Sequence, residues 1–454
     1  MMDKNKLAVL NFLNEPYFFM SILNALGPER VVFYCLQTSR RHLSWELAEI
    51  AALGVEIVYL DSLDIWEPQA RHDWFLCDIL WIYKARAKDD SAALKVVSSA
   101  ISELVLSLKK DGKHFICTSY SVDVVPSEQY LWPDDFFICP CESLFYQSIQ
   151  AGEYLIDSQD GWPQVGRNPG GWTTALIGPL HINQFFVDDY QVATKAKQEL
   201  ARHLNVDFQV GRPLISTTIT GTQDESSFIK GLAHFSKHTD IAIKAGVKAV
   251  QKKAPISGEL SCKMDNHQAD QQWLSRLKEA GGTGNFYFVE TPRLNNLSRL
   301  AADLTLADPL SGGALTCLFL GVRFCLAYTQ KCRWKKIDLM VNYSHELRRA
   351  HSILNRLAYA VMPMPIEATE MLLERLVDES YWKRFEQERS RLLESVTGRF
   401  FVGREASARV AFYIKQALDY GGIWPSEEEI RERGLKLKSG AAIEIKRPPL
   451  DLTL

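Results

Sequence analysis

The sequence predicts an α/β protein with two doubly wound parallel sheets, one in each half of the chain. Short apolar runs such as Val31–Cys35 alternate in both halves with helical segments such as Ala92–Lys109. Strands separated by helices of this length form parallel sheets. The segment Asp207–Pro213 reads as a linker between the halves, and 454 residues are enough for two separate cores.

The first predicted domain covers residues 1–207. Apolar runs predict its strands at Lys6–Leu10, Val31–Cys35, Val55–Leu60, Cys77–Ile82, His114–Thr118, Phe136–Cys139 and Ala175–His181. Periodic apolar positions and end signals predict helices at Pro16–Leu26, Ser44–Leu53, Ala92–Lys109, Glu142–Ile149 and Asp188–Leu204. The Gly-, Pro- and Trp-rich segment Gly161–Trp172 is predicted as a loop.

The second predicted domain covers residues 214–435. We expect its strands at Leu214–Gly221, Asp240–Lys244 and Asn285–Val289, followed by two buried strands within Leu300–Tyr328. The predicted helices are Glu225–Lys237, Gln268–Ala280, Asn295–Ala302, Ile366–Val396 and Ala406–Leu418. Residues 436–454 are basic and then Pro-rich, which predicts a loosely ordered tail.

Composition is that of an ordinary globular protein, with 46% hydrophobic and 24% charged residues. A net charge of −3 gives no reason to expect a nucleic-acid partner. Cys139 and Cys141 have no second Cys/His pair at zinc spacing, so we expect neither a metal nor a cofactor. Scattered cysteines and the lack of a leader-like or membrane-spanning apolar run predict a cytoplasmic location.

A small-residue turn between two buried strands is the most informative part of the chain. Ser311, Gly312 and Gly313 stand where a helix begins, after a strand that ends near Asp308. Amides at a helix N-terminus bind anions, and glycine lets a phosphate approach them closely. The turn is therefore a candidate phosphate-binding site for a nucleotide-linked donor. The alternative is a tight turn whose glycines only allow close packing.

Two α/β lobes followed by returning helices resemble the GT-B glycosyltransferases, which have two Rossmann-like lobes and a cleft between them. Residues 175–418 also resemble, distantly, the CDP-glycerol glycerophosphotransferase family with its capsule and teichoic acid polymerases. Five segments carry that resemblance: Ile177-Gly178-Pro179, Ile215–Gly221, Ile241–Lys244, Ala302–Gly313 and Gly403–Val410.

The chain departs from that family at two histidines. Thr118-Ser119-Tyr120-Ser121 stands where the family has His-Gly, and no histidine follows Lys244. The resemblance makes those histidines catalytic or phosphate-contacting, so their replacement favours sugar transfer over glycerophosphate transfer. Two alternatives remain, namely a CDP-alcohol phosphotransferase with replaced histidines and an inactive scaffold subunit.

The resemblance implies that main-chain amides and basic side chains hold the donor diphosphate without a metal. The expected donor-binding residues are Thr217, Thr218, Thr220, Lys244, Glu290, Asp308, Ser311, Gly312, Gly313 and Arg323. Each also has a structural interpretation: strand propensity for the threonines, turn capping for Asp308 and Glu290, and a solvated strand end or surface ion pair for Lys244 and Arg323.

A transferase usually needs a base for the acceptor hydroxyl. His181, Asp123 and Glu15 are the candidates in the first lobe, and the sequence does not choose among them. The segment Trp162–Trp172 could stack on saccharides or be buried. The basic clusters Arg333–Lys336 and Arg348-Arg349 would suit the inner membrane surface or an anionic acceptor, or be solvated faces. The expected partners are a nucleoside-diphosphate sugar or CMP/CDP-linked donor and a saccharide or lipid-linked acceptor of capsule or lipopolysaccharide assembly.

Overall fold

The computed structural model describes residues 6–11, 16–36, 44–60, 72–78, 95–118, 131, 133–219, 224–245, 266–289, 291–309, 311–329, 353–361 and 363–440. Contacts divide the chain into two compact units. The first unit contains the described residues up to Val187 and those from Thr397 onward. The second unit contains the described residues from Asp188 to Val396.

The strands of the described chain form two sheets. They are β1 (Leu7–Asn11), β2 (Val31–Leu36), β3 (Glu56–Leu60), β4 (Trp74–Asp78), β5 (His114–Thr118), β6 (Phe136–Cys139), β7 (Glu153–Ile156), β8 (Pro163–Arg167), β9 (Thr173–Leu176), β10 (Leu214–Ile219), β11 (Asp240–Ala245), β12 (Phe286–Phe288), β13 (Leu304–Ala307), β14 (Phe324–Tyr328), β15 (Met364–Pro365) and β16 (Lys436–Ser439).

The helices follow the strands in alternation through most of the chain. They are α1 (Met20–Leu26), α2 (Ser44–Ala52), α3 (Lys95–Lys110), α4 (Glu142–Ile149), α5 (Leu180–Val187), α6 (Ala193–Leu204), α7 (Glu225–Phe235), α8 (Asn266–Glu279), α9 (Pro292–Ala301), α10 (Gly312–Leu320), α11 (Ile353–Ala360), α12 (Thr369–Val377), α13 (Glu379–Thr397), α14 (Gly403–Tyr420) and α15 (Glu427–Glu432). A 3₁₀ turn, Pro16–Phe19, precedes α1.

The sheet of the first unit has the order β16-β7-β8-β9-β6-β5-β4-β1-β2-β3. Pairing is parallel from β3 to β9, and antiparallel from β9 through β8 and β7 to β16. All five residues of β1 are buried, as expected of a central parallel strand that is covered on both faces. The run β3-β2-β1-β4-β5-β6 has the strand order of a Rossmann-like fold.

The sheet of the second unit repeats this order with entirely parallel pairing, as β12-β11-β10-β13-β14-β15. The predicted α/β architecture of two Rossmann-like units is therefore confirmed. In such sheets, ligands bind beyond the carboxyl ends of the strands at the point where the strand order reverses. That point lies between β1 and β4 in the first unit and between β10 and β13 in the second.

The two central strands of each sheet part before they end. In the first unit, pairing between β1 and β4 stops at Val9 and Leu76, while β1 stays paired with β2 as far as Asn11. In the second unit, pairing between β10 and β13 stops at Thr217 and Leu306, while β10 stays paired with β11 as far as Ile219. We call the spaces beyond these points the β1/β4 crevice and the β10/β13 crevice.

Several predicted segments differ from the structure. Gly161–Trp172 contains the strand β8 rather than only a loop, because it pairs with neighbours on both sides. The predicted helix Ile366–Val396 is two helices, α12 and α13, which are separated at Asp378. The predicted loose tail begins with β16, which pairs with β7; residues 441–454 lie outside the described residues.

The compact units also divide the chain differently from the predicted domains 1–207 and 214–435. The first unit ends at Val187, so α6 belongs to the second, where it packs on α9. The segment from Thr397 returns to the first unit, where α14 packs on α1 and α5. At Gly178, a Cβ would lie 2.0 Å from the Phe401 carbonyl oxygen, so only glycine permits this approach of the returning chain.

Candidate functional site

The β10/β13 crevice collects polar side chains from two strands and two helices of the second unit. Helix α9 is buried from Arg293 to Leu300, although this stretch includes Asn295, Asn296 and Arg299. Thr218 donates its hydroxyl proton to Asn295 Oδ1 across 3.3 Å. Three residues further along α9, the Ser298 hydroxyl lies 2.7 Å from the Ser216 hydroxyl, and this hydrogen bond holds α9 against β10.

Arg299 is the central cation of this crevice. Arg299 is only 8% exposed. Its guanidinium donates from Nη1 to Asn296 Oδ1 (2.7 Å) and from Nη2 to the Thr218 hydroxyl (3.5 Å). Among the residues that the structure describes, no Asp or Glu forms an ion pair with Arg299. A buried cation held by neutral groups alone is an unusual arrangement, because buried charges normally have a counter-charge.

The N-terminus of α10 meets this guanidinium. A Cβ on Gly313 would lie 2.6 Å from Arg299 Nη2, so the glycine is what lets the cation approach the helix. Ser311 is the N-cap residue but makes no side-chain cap, because its hydroxyl donates to the carbonyl oxygen of Asp308 (3.2 Å). By contrast, Thr291 caps α9 by accepting from the Leu294 amide. The first amides of α10 therefore lie beside Arg299 without a cap from the N-cap side chain.

The electrostatics of α10 agree with this placement. Burial raises the pKa of the Cys317 thiol to about 11, and the positive charge of Arg299 acts in the opposite direction. The helix N-terminus adds its own partial positive charge at Gly312 and Gly313. Arg299 and the α10 amides thus form one electropositive region at the carboxyl edge of the sheet.

Two of the predicted threonines have different roles. Thr217 is fully buried, and its hydroxyl donates to the Leu306 carbonyl oxygen across 3.1 Å, so it holds β10 against β13. Its prediction as a donor ligand is wrong, since alternate strand residues face opposite sides of the sheet. Thr218 faces α9 and is in register with Lys244 on β11, which places Lys244 on the same side of the sheet.

The structure corrects the prediction for Arg323. This residue precedes β14, so it lies at the amino edge of the sheet, opposite the crevice. Its guanidinium donates two bonds to the Glu379 carboxylate, at 2.8 and 3.0 Å. Glu379 is exposed, and the pair is a surface ion pair. Glu290 and Thr220 lie outside the described residues.

The catalytic candidates fall in or near the first unit. His181 is buried in the first turn of α5, at the carboxyl edge of its sheet. Glu15 and Asp123 lie outside the described residues, as do the basic clusters 333–336 and 348–349. Among the described residues, His181 is therefore the one predicted base whose surroundings are given.

The aromatic segment is structural within the first unit. Trp172 is 1% exposed. Trp162 packs against Phe401 at 4.8 Å between ring centroids, with the Arg399 guanidinium 4.5 Å from its ring. The buried alternative therefore holds for Trp172, while the half-buried ring of Trp162 is packed by Phe401 and Arg399.

The cysteines of the described chain are buried. The Cys139 thiol donates to the Cys141 carbonyl oxygen (3.3 Å), and burial holds its pKa well above the ordinary value. A protonated thiol is a poor metal ligand. In the described part of the chain, no group of three or more His, Cys, Asp or Glu residues could hold a metal ion. None of the described helices is long and apolar enough to cross a membrane.

The sequence pattern does not single out Arg299 and its neighbours on α9 as site residues. The segment Asn295–Arg299 reads as the solvent face of a short amphipathic helix, because polar residues normally mark the exposed side. The place of this helix in the chain could have indicated its role. A helix that leads into a buried central strand of a doubly wound sheet passes the point where the strand order reverses, so its polar residues can face a ligand there.

Comparisons with known proteins give likenesses of structure only. No protein-family model matches the chain, and neither does any curated protein sequence. Among solved structures, the wall teichoic acid polymerase TagF with CDPG matches at 10% identity and a TM-score of 0.48, covering 92% of this chain and 89% of that chain.

Two further matches are Anabaena Alr3699/HepE in complex with UDP and glucose (10% identity, TM-score 0.46, 92% and 98% of the two chains) and Acinetobacter baumannii MurG (8%, 0.38, 90% and 99%).

Proposed function

We propose that this protein is a glycosyltransferase that moves a sugar from a nucleotide-linked donor to a saccharide or lipid-linked acceptor of a cell-surface polysaccharide or glycolipid. The second unit binds the donor, with its diphosphate in the β10/β13 crevice, and the first unit binds the acceptor. The observation that carries the proposal is Arg299, a buried guanidinium that has no carboxylate partner among the described residues and lies beside the first amides of α10, which the Ser311 side chain does not cap.

This arrangement suits departure of a nucleoside diphosphate. Breaking the bond between sugar and diphosphate places additional negative charge on the leaving phosphate oxygens. Donors that already point at those oxygens stabilise that charge without reorganising. Arg299 and the Gly312 and Gly313 amides are such donors, the Thr218 hydroxyl holds the Arg299 guanidinium in place, and Lys244 adds a cation on the adjacent strand.

Melting temperatures with UDP, GDP, CMP, CDP and their sugar or glycerol conjugates test the proposal. A ligand that binds only the folded state raises the melting temperature by mass action. We expect one nucleotide series to stabilise the protein, and its sugar conjugate to be consumed when a saccharide acceptor is added. A glycerol conjugate that is consumed instead would replace sugar transfer by alcohol-phosphate transfer.

The variant Arg299→Ala should lose most of this stabilisation, by about tenfold to a hundredfold in affinity, because charge-assisted hydrogen bonds to the phosphates are removed. Arg323→Ala is the matched control, since Arg323 lies in the same unit but pairs with Glu379 at the opposite edge of the sheet. Equal affinity in Arg299→Ala and the unchanged protein would contradict the proposal.

A further inference from the structure

The β1/β4 crevice of the first unit contains polar groups that folding alone leaves unsatisfied. Asn11 ends β1 and is 1% exposed, yet neither its Nδ2 nor its Oδ1 has a hydrogen-bond partner among the described residues. Thr118 ends β5, is also 1% exposed, and its hydroxyl likewise has no partner in the described part of the chain. Such groups destabilise a fold, so a ligand that satisfies them is the simplest reason for their presence.

Strand register places both side chains on one face of the sheet. Val9, Leu76 and Ile116 stand side by side on β1, β4 and β5. Asn11 and Thr118 lie two residues further along their strands, and residues two apart point to the same face. Because pairing between β1 and β4 has already ended at Val9, Asn11 borders the point where the strands part.

The chemistry of this crevice differs from that of an anion site. A carboxamide and a hydroxyl can each donate and accept, which matches the hydroxyl groups of a sugar or polyol. The described strands β1, β2, β4, β5 and β6 end in Asn11, Leu36, Asp78, Thr118 and Cys139, and none of these is a Lys or Arg. At the same edge, the buried side chain of Glu46 accepts from the Tyr17 amide (3.2 Å), which adds a further oxygen acceptor to this end of the sheet.

We propose that the β1/β4 crevice binds a neutral, hydroxyl-rich saccharide unit of the acceptor, and that Asn11 and Thr118 hydrogen-bond its hydroxyls. This inference rests on the proposed function, because it takes the first unit as the acceptor side. It assigns the acceptor's reacting end to neutral sugars rather than to a phosphate-bearing polyol.

Saturation-transfer NMR tests it on the full chain, with a nucleotide present at saturating concentration. The probes are the methyl glycosides of glucose, galactose, mannose and N-acetylglucosamine, with glycerol 3-phosphate as the anionic alternative. We expect at least one glycoside to bind, and Asn11→Leu and Thr118→Val each to weaken it about tenfold, the effect of one lost hydrogen bond. Nucleotide affinity should stay unchanged in both variants.

Thr174→Val is the matched control. Thr174 is fully buried in the same sheet, but its hydroxyl already donates to the Phe137 carbonyl oxygen (3.2 Å). This variant should lower the melting temperature and leave glycoside binding unchanged. Thr118→Val should weaken glycoside binding without lowering the melting temperature, since it breaks no hydrogen bond among the described residues.

Three outcomes would overturn the inference: no glycoside binds, the bound glycoside is unaffected in both variants, or glycerol 3-phosphate is the ligand that both variants lose. The proposed function is judged separately, by nucleotide binding and its dependence on Arg299. Nucleotide binding without glycoside binding would therefore refute the saccharide site alone.

Discussion

The two units share a strand order but differ in the chemistry at their switch points. In the second unit, the β10/β13 crevice is electropositive and internally hydrogen-bonded, with Arg299 held by Asn296 and Thr218. In the first unit, the β1/β4 crevice presents the amide of Asn11 and the hydroxyl of Thr118, neither of which has a hydrogen-bond partner among the described residues. The fold fixes where a ligand is expected, and the residues at the strand ends determine which kind of ligand it is.

The substitution with the greatest expected effect on nucleotide binding fills the space in which the Arg299 guanidinium contacts α10. Gly313→Leu places side-chain carbons where the guanidinium now lies, since even a Cβ would come within 2.6 Å of Nη2. Displacing the cation and covering the first amides should weaken nucleotide binding about a hundredfold or more, because at least two charge-assisted hydrogen bonds are lost. Isothermal titration with the stabilising nucleotide measures the change.

Gly422→Leu controls for the larger side chain, because a Cβ there meets no atom within 4 Å. It should bind the nucleotide as the unchanged protein does. If Gly313→Leu folds and retains full nucleotide affinity, then the β10/β13 crevice is not the nucleotide site.

The adjacent threonines of β10 separate ligand binding from stability. Thr217→Val removes the buried bond to the Leu306 carbonyl oxygen, so it should lower the free energy of unfolding by about 1 kcal/mol and leave nucleotide affinity unchanged. Thr218→Val should weaken nucleotide binding several-fold, because its hydroxyl lies between Arg299 and Asn295. Urea unfolding and calorimetry of both variants check the pair, and reversed effects would move the site to the other face of the sheet.

The corresponding test in the first unit is a gain of stability. Asn11→Leu replaces a buried amide that has no described partner with an apolar side chain of similar size. The free energy of unfolding should rise by about 1 kcal/mol, because the desolvation penalty of the amide disappears. A loss of stability in urea unfolding would mean that Asn11 makes a bond that holds the native fold together.

The smallest expected effect is a pH dependence that reports the position of Arg299. Burial raises the folded-state pKa of Cys317 to about 11 from an ordinary 9.0. The contribution of this thiol to stability is therefore fully present below about pH 9 and is lost as pH rises through about 11. Since the Arg299 charge lowers this pKa, Arg299→Ala should extend the loss to higher pH. Unfolding measured across the alkaline range should show this shift, and an identical profile would place Arg299 away from α10.

The sequence predicted most of the framework because parallel strands leave clear apolar runs. Val31–Leu36 and His114–Thr118 differ from their predicted bounds by at most one residue. The antiparallel strand β8 was missed because Pro163 and Gly166 resemble loop residues, and only its pairing with β7 and β9 makes it a strand. The sequence also gives no sign that the segment after Thr397 returns to the first unit, since its contacts there are with residues far away in sequence.

The candidate site was predicted in part for a similar reason. The glycines before α10 stand out locally, and the structure places Gly313, Ser311 and Thr218 around one cation. Arg299 itself carries no local signal, because a polar residue on a helix looks solvent-exposed until the packing of α9 is known. Arg323 shows the opposite case. It is close in sequence to the expected site, but it precedes its strand and therefore lies at the edge of the sheet opposite the crevice, where it pairs with Glu379.

Hydrogen exchange of the whole chain with and without UDP or CDP, whichever stabilises it, is the most direct test of the central claim. We expect slower exchange in the peptide that carries the Gly312 and Gly313 amides and in the part of α9 around Arg299, with no change at β1 or β5. Protection at Asn11 and Thr118 instead, with none at α10, would contradict the assignment of the nucleotide to the second unit.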